Sequence, residues 1–185
     1  MNYTPQQARD CLQSAQLVCS VDVVNAAVTR IASELNHTLR DTNPLVLCVM
    51  RGALVFAGQL LPQLDFPLVV DTLDATRYGN ATQGGELVFR QMPQADVSGR
   101  TVLLVDDILD QGVTLAAIRE RLLAQGAQRV LIAVFAVKQT RRDTPGMVTK
   151  ADYCGVTLPD RYVFGFGMDV HGYWRNLPAV YALNN

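Results

Sequence analysis

Between residues 102 and 115 the chain passes from four consecutive apolar residues, Val102-Leu103-Leu104-Val105, straight to two adjacent carboxylates, Asp106 and Asp107. A third acid, Asp110, follows, then Gln111-Gly112-Val113, and then Thr114, at which a helical pattern opens. This order predicts a buried strand, a loop and a helix N-terminus, whose free backbone N–H groups can hold an anion. It constrains the fold strongly, because a strand buried on both faces and followed directly by a helix belongs to a layered α/β arrangement.

The remaining pattern agrees. Thr4-Pro5 reads as a helix cap followed by proline at the first helical position, starting a helix to about Val18. Ser20 and Asp22 open a second helix, along which Val24, Val28, Ile31, Leu35 and Leu39 recur at helical spacing. Residues 44–49 form a continuous apolar run, as in a strand covered on both faces, and Arg51-Gly52-Ala53 leads into a helix through about Leu61. Residues 66–73 are expected as a second buried strand, 87–92 as a returning strand and 130–137 as a further strand. Gly126 is expected to end the helix that runs from Leu115 to about Ala124. Strands alternating with helices predict a mainly parallel, doubly wound sheet with helices on both faces. The last stretch differs: 156–158, 162–166 and 179–183 are short segments among Gly, Pro and Asp. They suggest a small subdomain beside the sheet. The whole chain is read as one domain, with a core of about 20–140 and a hood of about 141–185 joined by the N-terminal segment.

The 185 residues carry a net charge of −1, which leaves no basic footprint for nucleic acid. No apolar run is long enough to span a membrane, and the polar start Met1-Asn2-Tyr3-Thr4-Pro5 does not read as a signal peptide. A cytoplasmic protein is expected. Cys11, Cys19, Cys48 and Cys154 form no CxxC pair and are expected as free thiols, without structural zinc.

In open sheets of this kind ligands bind outside the carboxyl ends of the strands. Arg51-Gly52, Asp106 to Thr114, and Lys138-Gln139-Thr140 all fall at such ends. Acids crowding an anion hole repel an anion. The conflict disappears if the ligand joins a phosphate, a sugar diol and a metal: phosphate on the N–H groups, diol on Asp106 and Asp107, Mg²⁺ offsetting the charge.

The Asp106 to Thr114 loop closely resembles the phosphoribosyl pyrophosphate motif of the type I phosphoribosyltransferases, and other segments resemble the hypoxanthine-guanine branch. Val49-Met50-Arg51-Gly52-Ala53 is similar to its pyrophosphate loop, and Arg77-Tyr78-Gly79 with Thr82, Gly84 and Gly85 to its mobile loop. Val137-Lys138 and Asp160-Arg161-Tyr162-Val163 resemble its purine-reading segments. Phe166-Gly167-Met168-Asp169 with Tyr173-Trp174-Arg175-Asn176-Leu177-Pro178 resembles its carboxyl-terminal signature. The match runs in order from about Val46 to Leu183. Gln111 stands where Thr is more usual, Val113 where Gly or Lys is common, and Arg51 rather than Lys follows Met50.

The resemblance implies a purine salvage enzyme that uses Mg²⁺ to transfer phosphoribosyl from phosphoribosyl pyrophosphate to hypoxanthine or guanine, giving IMP or GMP. It implies a rare cis peptide between Met50 and Arg51, and a dimer or tetramer. Phosphoribosyl pyrophosphate would contact Arg51, Gly52, Asp106, Asp107, Asp110, Gln111, Gly112, Val113, Thr114 and Arg175. Asp110 is the expected proton acceptor, and Thr114 is expected to cap its helix and bond a phosphate oxygen. Lys138 would donate to the exocyclic oxygen of the purine, Tyr162 would stack on the base and Val163 would read its edge. Asp169 would lie beside the base and hold a second Mg²⁺, with Asp106 and Asp107 at the first. Arg77, Tyr78, Gly79 and Thr82 would belong to a lid that closes on bound substrate.

Two other readings stay open. Some proteins of this fold sense phosphoribosyl pyrophosphate as regulators without catalysis, and a related enzyme could prefer xanthine. Pyrimidine fits poorly with Lys138 and Tyr162-Val163. Gly165-Phe166-Gly167 does not make a dinucleotide fingerprint, because the next glycine is Gly172 and no helix pattern follows.

Overall fold

A computed structural model describes residues 3–77, 87–139 and 146–184. The elements in order are α1 (Pro5–Ser14), β1 (Gln16–Cys19), α2 (Val21–Leu39), β2 (Leu45–Met50), α3 (Ala53–Leu60), a short 3₁₀ turn (Leu61–Gln63), β3 (Val69–Arg77) and β4 (Leu87–Gln91). Then follow β5 (Thr101–Leu109), α4 (Val113–Ala124), β6 (Arg129–Lys138), β7 (Tyr153–Leu158), β8 (Val163–Phe164) and β9 (Val180–Ala182).

Six strands form one sheet in the order β4-β3-β2-β5-β6-β7, all parallel except β4, which returns antiparallel to β3. Side chains alternate along β5 and β6 and so feed two separate cores. Leu103, Val105, Leu131, Ala133 and Phe135 pack beneath α2 and α3. Val102, Leu104, Ile132 and Val134 pack beneath α4. Helix α2 carries the expected stripe: Val24, Val28, Ile31, Leu35 and Leu39 are all 0% exposed. Ser20 caps it, its hydroxyl accepting from the Val23 N–H at 3.4 Å. Helix α4 ends with Gly126 in a left-handed conformation, φ 92°, one place beyond the cap residue Gln125.

A second sheet, β1-β9-β8, is antiparallel and uses both ends of the chain. Phe166, on the turn after β8, is fully buried against Phe135 of β6 in an edge-on contact with centroids 4.5 Å apart, and tilts against Phe56 of α3 at 6.5 Å. These rings join the small sheet to the large one.

Several boundaries differ from the sequence reading. The first helix stops at Ser14, and residues 16–19 form a strand whose partner Val180–Ala182 lies at the far end of the chain. The strand expected over 66–73 begins only at Val69, after Pro67, and is not buried on both faces: Val69 and Val70 are 39% and 48% exposed. Residues 156–158 belong to β7, the outer strand of the large sheet, not to the small one.

Candidate active site

The parallel strands β2, β5 and β6 end together, and the residues that follow each of them meet at that edge. After β2 the chain turns through a cis peptide between Met50 and Arg51. Gly52 then passes so close to β5 that a Cβ there would lie 2.3 Å from Asp107 Oδ2. Any side chain at 52 would displace that carboxylate.

At the end of β5, Gly112 takes the left-handed conformation, φ 76°, and starts α4 directly. A Cβ here would meet the Val148 carbonyl at 2.0 Å, so both the backbone angle and the space require glycine. Gly112 is the helix cap and no side chain caps the end. The expectation that Thr114 caps is therefore corrected: it sits in the first turn of α4, and the Gly112 carbonyl receives the Ala116 N–H at 3.1 Å. The leading N–H groups of the helix, from Val113 on, have no acceptor within it, and Asp110 to Leu115 line a cavity at this edge.

Two cavities adjoin at this edge. The first, about 410 Å³, is lined by Arg51, Gly52, Asp106, Asp107, Asp110 to Thr114, Asp169 and Arg175. The second, about 230 Å³, is lined by Lys138, Tyr162, Val163 and Met168 together with Asp107, Ile108, Asp110 and Asp169. The last four residues belong to both. Of this shared wall, Asp107, Asp110 and Asp169 are residues the sequence pointed to, and Ile108 is not. Ile108 is half-buried between two buried neighbours, a break in the apolar alternation that marks a strand end opening into a site. Met168 and Asp160 belong to segments that carry the resemblance but have no role of their own in the sequence reading. Asp160 Oδ1 lies 3.8 Å from Lys138 Nζ; the resemblance places Asp160 in a purine-reading segment, but no local pattern assigns it this contact. Tyr78, Gly79 and Thr82 lie outside the described residues, as does Thr140. Arg77 is the last residue of β3.

Charge is concentrated in the first cavity. Asp107 is a buried carboxylate, 9% exposed, and its N–H donates to Asp106 Oδ1 at 2.9 Å. Burial, reinforced by the neighbouring Asp107 charge, pushes the Asp106 carboxyl well above the usual range. Burial also raises Asp107, against the opposing pull of Arg175. Arg175 donates to the Gly167 carbonyl at 2.6 Å, pairs with Asp169 Oδ1, and stands 3.9 Å from Asp107 Oδ2. Asp169 Oδ2 accepts from the Gly172 N–H at 2.7 Å. In the second cavity Lys138 Nζ donates to Asp110 Oδ2 at 3.2 Å, and Tyr162, half-exposed, donates its hydroxyl to the Asp169 carbonyl at 3.3 Å.

Among the described residues no group of three or more His, Cys, Asp or Glu is placed to hold a metal. Asp106 and Asp107 do present hard oxygen donors whose charge is poorly compensated. Such a pair suits Mg²⁺, which is commonly held by one or two carboxylates with water and substrate phosphates completing its shell.

An edge of this kind, with a helix start whose N–H groups can take an anion beside a carboxylate pair and a second cavity sharing its wall, has the form of a ligand site of the α/β class. The chain belongs to the phosphoribosyl transferase domain family, whose model matches residues 20–171. It is 32% identical to the hypoxanthine-guanine phosphoribosyltransferase of Bacillus subtilis (strain 168) over 169 residues, 91% of this chain and 92% of that one. It is 31% identical to the hypoxanthine-guanine-xanthine phosphoribosyltransferase of Tritrichomonas foetus over 162 residues, 86% of each. A solved hypoxanthine-guanine-xanthine phosphoribosyltransferase superposes with a TM-score of 0.83 at 27% identity, covering 94% of this chain and 99% of that one. A Staphylococcus aureus hypoxanthine phosphoribosyltransferase shares the fold, with a TM-score of 0.86 at 23% identity, covering 94% of each chain. Among the described residues no helix is long and apolar enough to cross a membrane.

Proposed function

We propose that this chain is a purine salvage enzyme that transfers the 5-phosphoribosyl group from phosphoribosyl pyrophosphate to hypoxanthine or guanine. The products are IMP or GMP and pyrophosphate. The observation that carries the reading is the wall common to the two cavities. A sugar phosphate held at the start of α4 has its anomeric carbon beside Asp107, Ile108, Asp110 and Asp169, where a base in the second cavity also ends.

The phosphate sits on the N–H groups at the start of α4, with Thr114 adding its hydroxyl. Asp106 and Asp107 orient the ribose diol. Arg51 and Gly52 line the far side, toward the diphosphate, and Arg175 meets it with a planar fork of donors. Asp106 and Asp107 would hold Mg²⁺, with Asp169 for a second ion, and the metal would supply charge neutralisation for the leaving diphosphate. The bond from C1 of the ribose to the diphosphate oxygen breaks and a bond from C1 to a ring nitrogen of the purine forms. That nitrogen loses its proton to Asp110. Lys138, freed from Asp110 as the base enters, donates to the exocyclic oxygen of the purine, while Tyr162 stacks on the ring and Val163 offers backbone groups to its edge. Assembly into dimers or tetramers belongs to the same reading. Leu54, 60% exposed on α3, and Val70, 48% exposed on β3, would leave water in such an assembly.

The test offers purified protein Mg²⁺, phosphoribosyl pyrophosphate and hypoxanthine, guanine, xanthine or adenine in parallel, and measures monophosphate formation. Product from the two 6-oxopurines hypoxanthine and guanine, and little from adenine, is expected. Binding of phosphoribosyl pyrophosphate without product from any base would replace the enzyme by a sensor. Product from xanthine as well would align the chain with relatives whose names include that base.

A further inference from the structure

We infer that the N-terminal helix is a strap for the diphosphate-facing side chains, and that Trp174 is the positioning residue through which it acts. The inference rests on the proposed function only for the identity of the ligand.

Arg175 and Asp169 both come from the turn after β8, over residues 165–177. That turn departs from ordinary backbone geometry. Phe166, His171 and Trp174 have φ of 49°, 50° and 69°, a conformation that large side chains rarely adopt. Local hydrogen bonds lace it: the Gly167 N–H donates to the Arg175 carbonyl at 2.9 Å, the Phe166 N–H to the Leu177 carbonyl at 2.8 Å, the Leu177 N–H to the Trp174 carbonyl at 3.2 Å, and Val170 and Tyr173 exchange two bonds of 3.0 Å. Two further contacts reach it from the N-terminal segment. Trp174 Nε1 donates to the Ala8 carbonyl of α1 at 2.7 Å, across 166 positions of sequence. The ring of Tyr3 stacks on His171 with centroids 4.1 Å apart.

Trp174 lines neither of the two cavities, whereas the next residue, Arg175, faces Asp107 and Asp169 in the first. Anchoring the indole fixes the left-handed backbone at 174. This sets the direction in which the Arg175 guanidinium leaves the chain. Release of the anchor lets the turn relax and moves that guanidinium, without touching Asp110 or the start of α4.

The test uses the full chain with Trp174→Phe, which keeps an aromatic ring and deletes the N–H. Amide exchange at Gly167 should become faster than in the unsubstituted protein, an outcome that needs no ligand. Calorimetric affinity for pyrophosphate with Mg²⁺ should fall by about three- to tenfold, the equivalent of one hydrogen bond. The KM for phosphoribosyl pyrophosphate should rise by the same factor while kcat stays within about twofold. Tyr3→Ala should act in the same direction and more weakly. Unchanged Gly167 exchange in Trp174→Phe overturns the strap whatever the ligand proves to be. A lowered melting temperature with unchanged pyrophosphate affinity reduces Trp174 to a fold-stabilising residue and also overturns it. Faster exchange in a protein that binds no pyrophosphate, even unsubstituted, keeps the strap and instead sinks the assignment of the ligand.

Discussion

Asp106 illustrates how a single residue can serve a site at the expense of the fold. Its carboxyl is raised because burial and Asp107 disfavour its charge. The folded chain therefore holds a proton that the unfolded chain has already lost across the window above the ordinary value of 3.8. Over that window stability declines as pH rises, and above it the full cost is present. Asp106→Asn removes the charge but keeps the oxygen that accepts from the Asp107 N–H. Thermal unfolding without ligand should show the variant melting higher at pH 8, by about 2–4 °C per kcal/mol relieved, with the advantage shrinking toward pH 4. Mg²⁺-dependent binding of phosphoribosyl pyrophosphate should weaken in the same variant. A lower melting point at pH 8 would refute the electrostatic account. Asp110→Asn belongs to the same scale and differs in kind. Turnover should fall by about 10²–10⁴-fold while phosphoribosyl pyrophosphate affinity, read by calorimetry, stays close to that of the parent. Loss of that affinity with unchanged turnover would reassign Asp110 to ligand holding.

At the scale of elements, the join between β5 and α4 does most to define the site. Gly112→Ala brings a Cβ onto the Val148 carbonyl and forces alanine into φ 76°. Chemical denaturation should show a loss of about 1–3 kcal/mol, and sugar-phosphate binding should weaken with it, because the first turn of α4 must shift. This join was legible in the sequence: apolar run, acids, glycine and helix follow one another without interruption. So was α2, where five residues at helical spacing agree with one buried face. The cap was misread because threonine is a good capping residue, whereas the short loop needed a left-handed residue and so gave the cap to Gly112. β1 was hidden for a different reason. Gln16-Leu17-Val18-Cys19 continues a helical pattern locally and becomes a strand only through partners some 165 residues away, as in the pairing of Gln16 with Ala182. The contact of Lys138 with Asp160 was invisible for the same reason: no local periodicity records a pairing made by the tertiary fold.

For the whole molecule, the two sheets act as one body because Phe56, Phe135 and Phe166 meet between them, each fully buried. Phe166→Ala should cost about 3–5 kcal/mol, seen as a shift of a single urea transition. Two separated transitions would instead mean that the small sheet unfolds by itself. Val163, a wall of the second cavity, pairs with Ala182, and Ala182 pairs in turn with Gln16. The strand β9 that backs this wall thus leaves a ribosome long after its neighbour β1, since Gln16 pairs with Ala182. During synthesis β1 must wait, unpaired, until β9 emerges after every strand of the large sheet, so a nascent chain can assemble that sheet well before the wall of its second cavity is backed.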